Sequence, residues 1–161
     1  MARKILLTVD ALHYAPEATE MAKELCQGPA DKVTILHVHE FAVGRFGRLQ
    51  VDCPEGEAER LVTTIRTDLA DAGIDAEAEI REAHVGHIAR TIVEAASQHD
   101  ARIIVLGSAR STDLPPIPFG SVSHKVLHLA KRPVIVVPRQ ALSAAEHAAV
   151  RGHVAAVPVT P

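Results

Sequence analysis

The stretch ARIIVLGSARSTDLPPIPFGSVSHKVLHLAKRPVIVVPR, residues 101–139, decides the fold of this chain. It begins with a short apolar run, 103–106, bounded by Gly107, and this run predicts a strand buried on both faces, as in a parallel sheet. From Gly120 onward, apolar residues recur with helical spacing until a proline stops the helix. A second apolar run, 134–137, predicts the next strand. The stretch is therefore one βαβ unit, whose polar loop lies where open α/β sheets bind ligands.

Two glycine positions mark this loop as a candidate binding site. Gly107 follows the first strand, and a backbone without a Cβ atom allows close approach of a ligand. Gly120 opens the helix, and the free N–H groups of Ser121, Val122 and Ser123 form a ready site for an anion. From the spacing alone, two interpretations stand equally. The glycines and serines cradle the phosphates of a nucleotide, or they merely end a strand and cap a helix.

The same stretch resembles the universal stress protein family. The motif of that family is a glycine, two residues, a second glycine, nine residues and then Gly-Ser or Gly-Thr. Here Gly107 and Gly120-Ser121 keep the complete spacing, and Arg110 replaces the second glycine. The resemblance covers roughly residues 2–138 and includes the closing GSVS and RPVIVV segments. It implies an α/β fold with an open five-stranded parallel sheet, strand order 3-2-1-4-5 and helices on both faces.

The chain before this unit also alternates between strands and helices. Phe41–Cys53 has two glycines and no clean period, which predicts a loop, and Pro54-Glu55 predicts the start of a helix. We expect one domain over residues 1–139, followed by an Ala/Pro-rich tail, 140–161, that is flexible or forms a short helix. The three strands predicted before the βαβ unit are 4–9, 32–39 and 76–81, the last as a half-exposed edge strand.

Composition excludes several classes of protein. With 161 residues, of which 47% are apolar, one ordered domain with a proper core is expected. A net charge of −3, no Trp, one Tyr and three Phe argue against binding to nucleic acid. The opening MARKILLTVD predicts a strand rather than a signal peptide, and no run reaches the length of a membrane span. Cys26 and Cys53 are too few for a disulfide scaffold, so we predict a cytoplasmic protein without membrane or nucleic-acid partners.

The family resemblance also implies a ligand. In nucleotide-binding members, the residues matching Asp10 and the backbone near Val38 hold ribose and adenine, and the match to Gly107 lies beside the sugar or phosphates. The implied ligand is ATP or a related adenine nucleotide, with Mg²⁺ as an optional companion. Arg110 has two opposite interpretations: it grips a phosphate through charge-assisted hydrogen bonds, or it fills the space and closes the site. The predicted nucleotide site comprises Asp10, Val38, Gly107, Arg110, Gly120, Ser121, Val122 and Ser123.

Three functions remain open from the sequence. The first is a stress-response regulatory protein that binds an adenine nucleotide at the carboxyl ends of strands 1 and 4. The alternative is a nucleotide-independent dimer that acts as an interaction module for an unknown protein partner. The third is a weak ATPase, although the chain has no GxSxG, Walker A or HExxH motif and no efficient enzyme is expected. The family pairs its last strand across a dimer, which implies a homodimer through Val134–Val137.

The ten histidines do not predict a metal site. His37 and His39 point the same way on an extended strand, and His124 and His128 share a helical face. None of these pairs has a third ligand at a spacing specific for zinc. The cysteines show no paired motif, so structural thiols are expected.

Overall fold

Strands and helices alternate through residues 2–108 and 120–138, the parts of the chain that the computed structural model describes. The strands are β1 (Lys4–Thr8), β2 (Lys32–Gly44), β3 (Gly47–Gln50), β4 (Asp75–His84), β5 (Ile103–Ser108) and β6 (Val134–Pro138). The helices are α1 (Pro16–Leu25), α2 (Glu57–Asp71), α3 (Ile88–Gln98) and α4 (Ser121–Leu129). Arg110 and the predicted tail, 140–161, lie outside the described residues.

Five of the strands form the predicted parallel sheet. Their order is β4-β2-β1-β5-β6, which is the order 3-2-1-4-5 when only the parallel strands are numbered. β1 lies at the centre, where Leu7 faces Ile35 of β2 on one side and Val105 of β5 on the other. The predicted α/β fold class is therefore confirmed.

Helices bury both faces of this sheet. Because successive side chains of a strand point to opposite faces, Leu7 packs in the core under α1 and α2, while Leu6 packs in the core under α3 and α4. Both side chains are fully buried. Burial of each such side chain contributes about 1.5–3 kcal/mol, which explains why the central strands are continuous apolar runs.

The predicted loop over Phe41–Cys53 is wrong for residues 41–50, which form a hairpin, and correct for residues 51–53. β2 continues to Gly44, and the chain turns at Gly47, where φ is 113°, to return as the antiparallel strand β3. The sheet is therefore mixed and has six strands among the described residues. This hairpin is solvent-exposed, and its tip residue Phe46 is fully exposed. With no face against the core, the hairpin lacks the alternation by which a half-buried strand is recognised.

Other differences concern boundaries. α2 begins at Glu57, after Gly56 in the left-handed conformation with φ 78°, and not at Pro54. β4 extends the predicted strand 76–81 to Asp75–His84 and lies at one edge of the sheet, as predicted. Gly107 lies within β5 rather than after it. None of the described helices has the length and apolar character needed to cross a membrane.

Candidate functional site

A cavity of about 390 Å³ opens at the carboxyl ends of β1, β2 and β5. This is the crevice of an open α/β sheet, and the volume is within the range of small-molecule sites. The cavity brings together every predicted site residue that the structure describes. Those lining residues are Asp10, Val38, Gly107, Gly120, Ser121, Val122 and Ser123.

The backbone of Val38 faces this cavity at a gap in the sheet. The carbonyl of Leu36 accepts a hydrogen bond from the N–H of Val9, and the carbonyl of Glu40 accepts one from Val51. Both carbonyls point to the β1 side of β2. Since backbone groups alternate along a strand, the N–H and C=O of Val38 point to the same side, between Val9 and Val51. A donor and an acceptor are thus presented side by side where β1 has ended.

The first turn of α4 forms another part of the cavity wall. Gly120 is the N-cap residue, with φ −56° and ψ 161°, and no side chain in the described part of the chain caps this helix. The interpretation of Ser121 as a helix cap is therefore wrong, because Ser121 is the first helical residue. The carbonyl of Gly120 accepts from the N–H of His124, whereas the N–H groups of Ser121, Val122 and Ser123 precede the first intrahelical bond. These N–H groups and the helix dipole favour an anion.

Asp10 organises the loop between β1 and α1. Its Oδ1 atom accepts hydrogen bonds from the N–H groups of Leu12 at 2.9 Å and His13 at 3.3 Å, and its Oδ2 atom lies 3.2 Å from Nδ1 of His13. The carboxylate is exposed in the crevice. One oxygen therefore holds the loop, while the other contacts the ring of His13 and keeps a further lone pair with which it can accept from a ligand hydroxyl.

Gly107 has a packing role that the sequence did not predict. A Cβ atom at this position would lie 2.5 Å from the Cβ atom of Ala15, the residue that precedes α1. Such a contact is far inside van der Waals distance, so the glycine allows β5 and the start of α1 to approach each other.

A cluster of four polar side chains borders the cavity. His37 and His39 extend from β2 on the face covered by α1 and α2, and Asp52 and Cys53 follow the β2–β3 hairpin. Oδ2 of Asp52 lies 3.1 Å from Nε2 of His37 and 2.8 Å from Nδ1 of His39. Sequence reasoning found that the two histidines share a face, but it missed their partners because it did not predict the β2–β3 hairpin that brings Asp52 and Cys53 back to β2.

Two groups of this cluster have pKa values shifted in opposite directions: that of Asp52 is lowered and that of Cys53 is raised. Burial opposes ionisation of Asp52, but the hydrogen bonds with His39 and His37 outweigh it and lower the pKa of the carboxyl to about 2. Burial and the neighbouring Asp52 carboxylate raise the pKa of the Cys53 thiol to about 11. In the absence of a further cation, a carboxylate therefore lies beside a protonated thiol.

Comparison with known proteins assigns the chain to a family. The family model described as "Universal stress protein family" matches residues 1–138. The chain belongs to the universal stress protein family. It is similar to the universal stress protein YxiE of Bacillus subtilis, with 28% identity over 150 residues that cover 85% of this chain and 99% of that protein.

Solved structures of family members share the fold. The universal stress protein from Archaeoglobus fulgidus in complex with dAMP has a TM-score of 0.59 and 22% identity, and the match covers 84% of this chain and 97% of that one. A universal stress protein in complex with cAMP has a TM-score of 0.64 and 17% identity, covering 86% and 98%. An Arabidopsis thaliana member with AMP bound has a TM-score of 0.59 and 17% identity, covering 86% and 93%.

Proposed function

We propose that this universal stress protein is a stress-response regulatory protein that binds an adenine nucleotide in the crevice at the ends of β1, β2 and β5. The observation that carries the proposal is the gap between Val9 and Val51, where the backbone of Val38 faces the cavity. Adenine offers an amino donor beside a ring-nitrogen acceptor on one edge. The donor and acceptor of Val38 match that edge without any side chain.

The rest of the crevice suits the other parts of a nucleotide. The first turn of α4 provides N–H groups for a phosphate, at Ser121, Val122 and Ser123. Asp10 provides a carboxylate oxygen that accepts from ribose hydroxyls. The structures of family members with dAMP, cAMP and AMP support this ligand class. ATP, with or without Mg²⁺, is the specific ligand that we propose.

The first experiment is calorimetric titration of the purified chain with AMP and with ATP, each with and without Mg²⁺, after mass spectrometry for nucleotide carried through purification. We expect binding in the micromolar range that Gly120→Val abolishes. Gly120 lines the cavity, and its backbone angles are ones that residues other than glycine also adopt, so the substitution narrows the site without requiring a strained backbone. Gly28→Val is the matched control, because a Cβ atom at Gly28 meets open space away from the crevice.

The second candidate function is a nucleotide-independent interaction module, because two features of the crevice have structural roles of their own. Gly107 is explained by its approach to Ala15, and one oxygen of Asp10 is explained by the loop it holds. Absence of heat with AMP and with ATP, together with no co-purified nucleotide, would favour this second function and exclude the first.

We further propose that the protein forms a cytoplasmic homodimer through β6. β6 pairs only with β5, so its other edge presents backbone groups without a strand partner among the described residues. The side chains of Val134, Ile135 and Val136 are half-buried, which gives this edge an apolar character. Both cysteines are free thiols, which suits a reducing compartment.

A further inference from the structure

We propose that His37, His39, Asp52 and Cys53 bind one divalent transition-metal ion, with zinc as the best fit. The four ligand atoms are Nε2 of His37, Nδ1 of His39, Oδ2 of Asp52 and Sγ of Cys53, and all lie within 4.8 Å of one another. The site lies where the β2–β3 hairpin returns to the sheet. None of its four residues belongs to the set proposed to hold the nucleotide.

The distances between the ligand atoms approach those of a tetrahedral zinc site. With zinc–nitrogen and zinc–oxygen bonds near 2.0 Å and zinc–sulfur bonds near 2.3 Å, tetrahedral ligands lie roughly 3.3–3.6 Å apart. Sγ of Cys53 lies 3.9 Å from Nε2 of His37, 4.0 Å from Nδ1 of His39 and 3.5 Å from Oδ2 of Asp52. The nitrogen–oxygen separations of 3.1 and 2.8 Å are shorter. Shifts of about half an ångström or less bring these five separations to tetrahedral values, and the ligand nitrogens of His37 and His39 lie within 4.8 Å of each other.

A hydrogen bond fixes the orientation of His37. Its Nδ1 atom lies 3.0 Å from the carbonyl oxygen of Val9, which can only accept, so Nδ1 carries the proton. In the neutral ring, Nε2 then directs its lone pair at Oδ2 of Asp52, another acceptor. Two acceptors at this distance need a cation between them, which is either a proton on Nε2, as in the hydrogen-bonded form without metal, or a metal ion. Metal-binding histidines use the same arrangement, with the second ring nitrogen donating to a carbonyl or carboxylate.

The surroundings of His39 suit the same role. Its Nε2 atom lies 3.9 Å from Oε1 of Glu59 in α2, on the side away from the cluster. The side-chain nitrogen of Gln50 lies 3.1 Å from Nδ1 of His39 and donates to the carbonyl of Cys53 at 2.8 Å. A hydrogen bond from the Gln50 amide requires an unprotonated Nδ1, whose lone pair then becomes available to an ion that displaces this contact. An ion would replace the first contact of Gln50 and leave the second intact.

Asp52 supplies an independent observation. Its other oxygen, Oδ1, is buried and has no hydrogen-bond partner in the described structure. A buried carboxylate oxygen without a partner is costly, and a bound cation offsets this cost by neutralising the group. His37 and Asp52 also line the crevice, so an ion can reach the site from solvent.

The chemistry of the ligands selects the class of ion. Imidazole and thiolate ligands favour zinc and neighbouring transition metals, whereas Mg²⁺ and Ca²⁺ prefer sites made of oxygen atoms. Coordination also favours the thiolate form of Cys53 over the thiol, with release of its proton to solvent. The proposed ion is therefore distinct from any Mg²⁺ that accompanies a nucleotide.

The test uses the full chain without an affinity tag, freed of metal with a chelator. Titration with Zn²⁺ against a chromophoric chelator should give one ion per chain. Titration with Co²⁺ should give the intense visible bands of a tetrahedral site and a near-ultraviolet sulfur-to-cobalt band. Cys53→Ser should remove the sulfur band, and His39→Ala or Asp52→Asn should weaken Zn²⁺ binding more than about 100-fold, beyond the effect of changing an outer-shell partner.

Cys26→Ser is the matched control, because Cys26 lies outside the cluster and should leave both titrations unchanged. Circular dichroism verifies that each variant is folded. Failure of the wild-type chain to bind Zn²⁺ at micromolar concentration would overturn the proposal. So would binding that survives in the folded double variant His39→Ala, Cys53→Ser. Nucleotide titration of the same variants separates this result from the proposed nucleotide function.

Discussion

The ring of His37 is anchored to Val9, the residue that directly follows β1, with Nδ1 lying 3.0 Å from the carbonyl oxygen of Val9. Val9 lines the crevice, and His37 is buried at the centre of the polar cluster. The contact therefore joins the wall of the proposed nucleotide site to the proposed metal site. Because the carbonyl of Val9 accepts from Nδ1 of His37, the backbone that directly follows β1 fixes which ring nitrogen faces Asp52.

Zinc should stabilise the folded chain. An ion that binds only the folded state at 100 times its dissociation constant adds about 2.7 kcal/mol to the free energy of unfolding. For a chain of this size, that corresponds to a rise in melting temperature of roughly 5–10 °C. The measurement is thermal unfolding of the untagged chain with Zn²⁺ or with a chelator. Cys53→Ser should remove most of the shift, whereas Cys26→Ser should retain it.

Gly107 should not tolerate a side chain. Gly107→Ala places a Cβ atom 2.5 Å from that of Ala15, and overpacking of this kind costs about 1–3 kcal/mol. Urea unfolding should show this loss, and the second substitution Ala15→Gly should recover most of it by removing the clashing atom. Gly28→Ala is the control, since nothing lies within 4 Å of its added carbon. A stable Gly107→Ala variant would show that β5 and α1 can separate.

The sequence predicted the parallel sheet because its strands are apolar on both faces. Leu6 and Leu7 show this directly, since adjacent side chains are buried in opposite cores. The β2–β3 hairpin could not be recognised in this way, because both of its faces are largely exposed. The missed polar cluster has the same cause. The hairpin brings Asp52 back to His39 across 13 residues of sequence, a separation that matches no local zinc motif.

The candidate nucleotide site was more accessible to sequence reasoning. Asp10 follows β1 and Gly120 precedes α4, so topology alone places these positions at one edge of the sheet. Gly107 lies near the end of β5, and Val38, inside β2, came from the family resemblance. The packing role of Gly107 was not visible, because it depends on the distance between β5 and Ala15 in space. The contribution of Arg110 lies outside the described residues.

Asp10 should contribute to nucleotide affinity directly, in addition to holding the loop between β1 and α1. In Asp10→Asn, the amide oxygen can still accept from the N–H groups of Leu12 and His13, while the amide nitrogen replaces Oδ2 and cannot accept from a ribose hydroxyl. Loss of a hydrogen bond to a charged group is worth about 1.5–3 kcal/mol, so affinity should fall roughly 10- to 100-fold. Calorimetry of Asp10→Asn and Asp10→Ala measures this. If Asp10→Asn bound nucleotide as tightly as the unaltered chain, Asp10 would act only through the loop.

The outward edge of β6 can be blocked without cutting its bonds to β5. The carbonyl of Pro133 accepts from the N–H of Ile104, so Pro133 faces β5. Because backbone groups alternate along a strand, Ile135 also faces β5, while Val134 and Val136 face outward. Val136→Pro removes an outward N–H and leaves the inner ladder intact. If β6 pairs with its copy, this variant should be monomeric.

Sedimentation velocity over a range of concentrations measures the result. Val136→Thr is the matched control, because it keeps the N–H group and the β-branched shape, and it should remain dimeric. Ile135→Pro should instead destabilise the fold, since it removes an N–H that faces β5. A Val136→Pro variant that is folded and still dimeric would contradict pairing through this edge, because the added ring leaves no donor at the centre of the proposed interface.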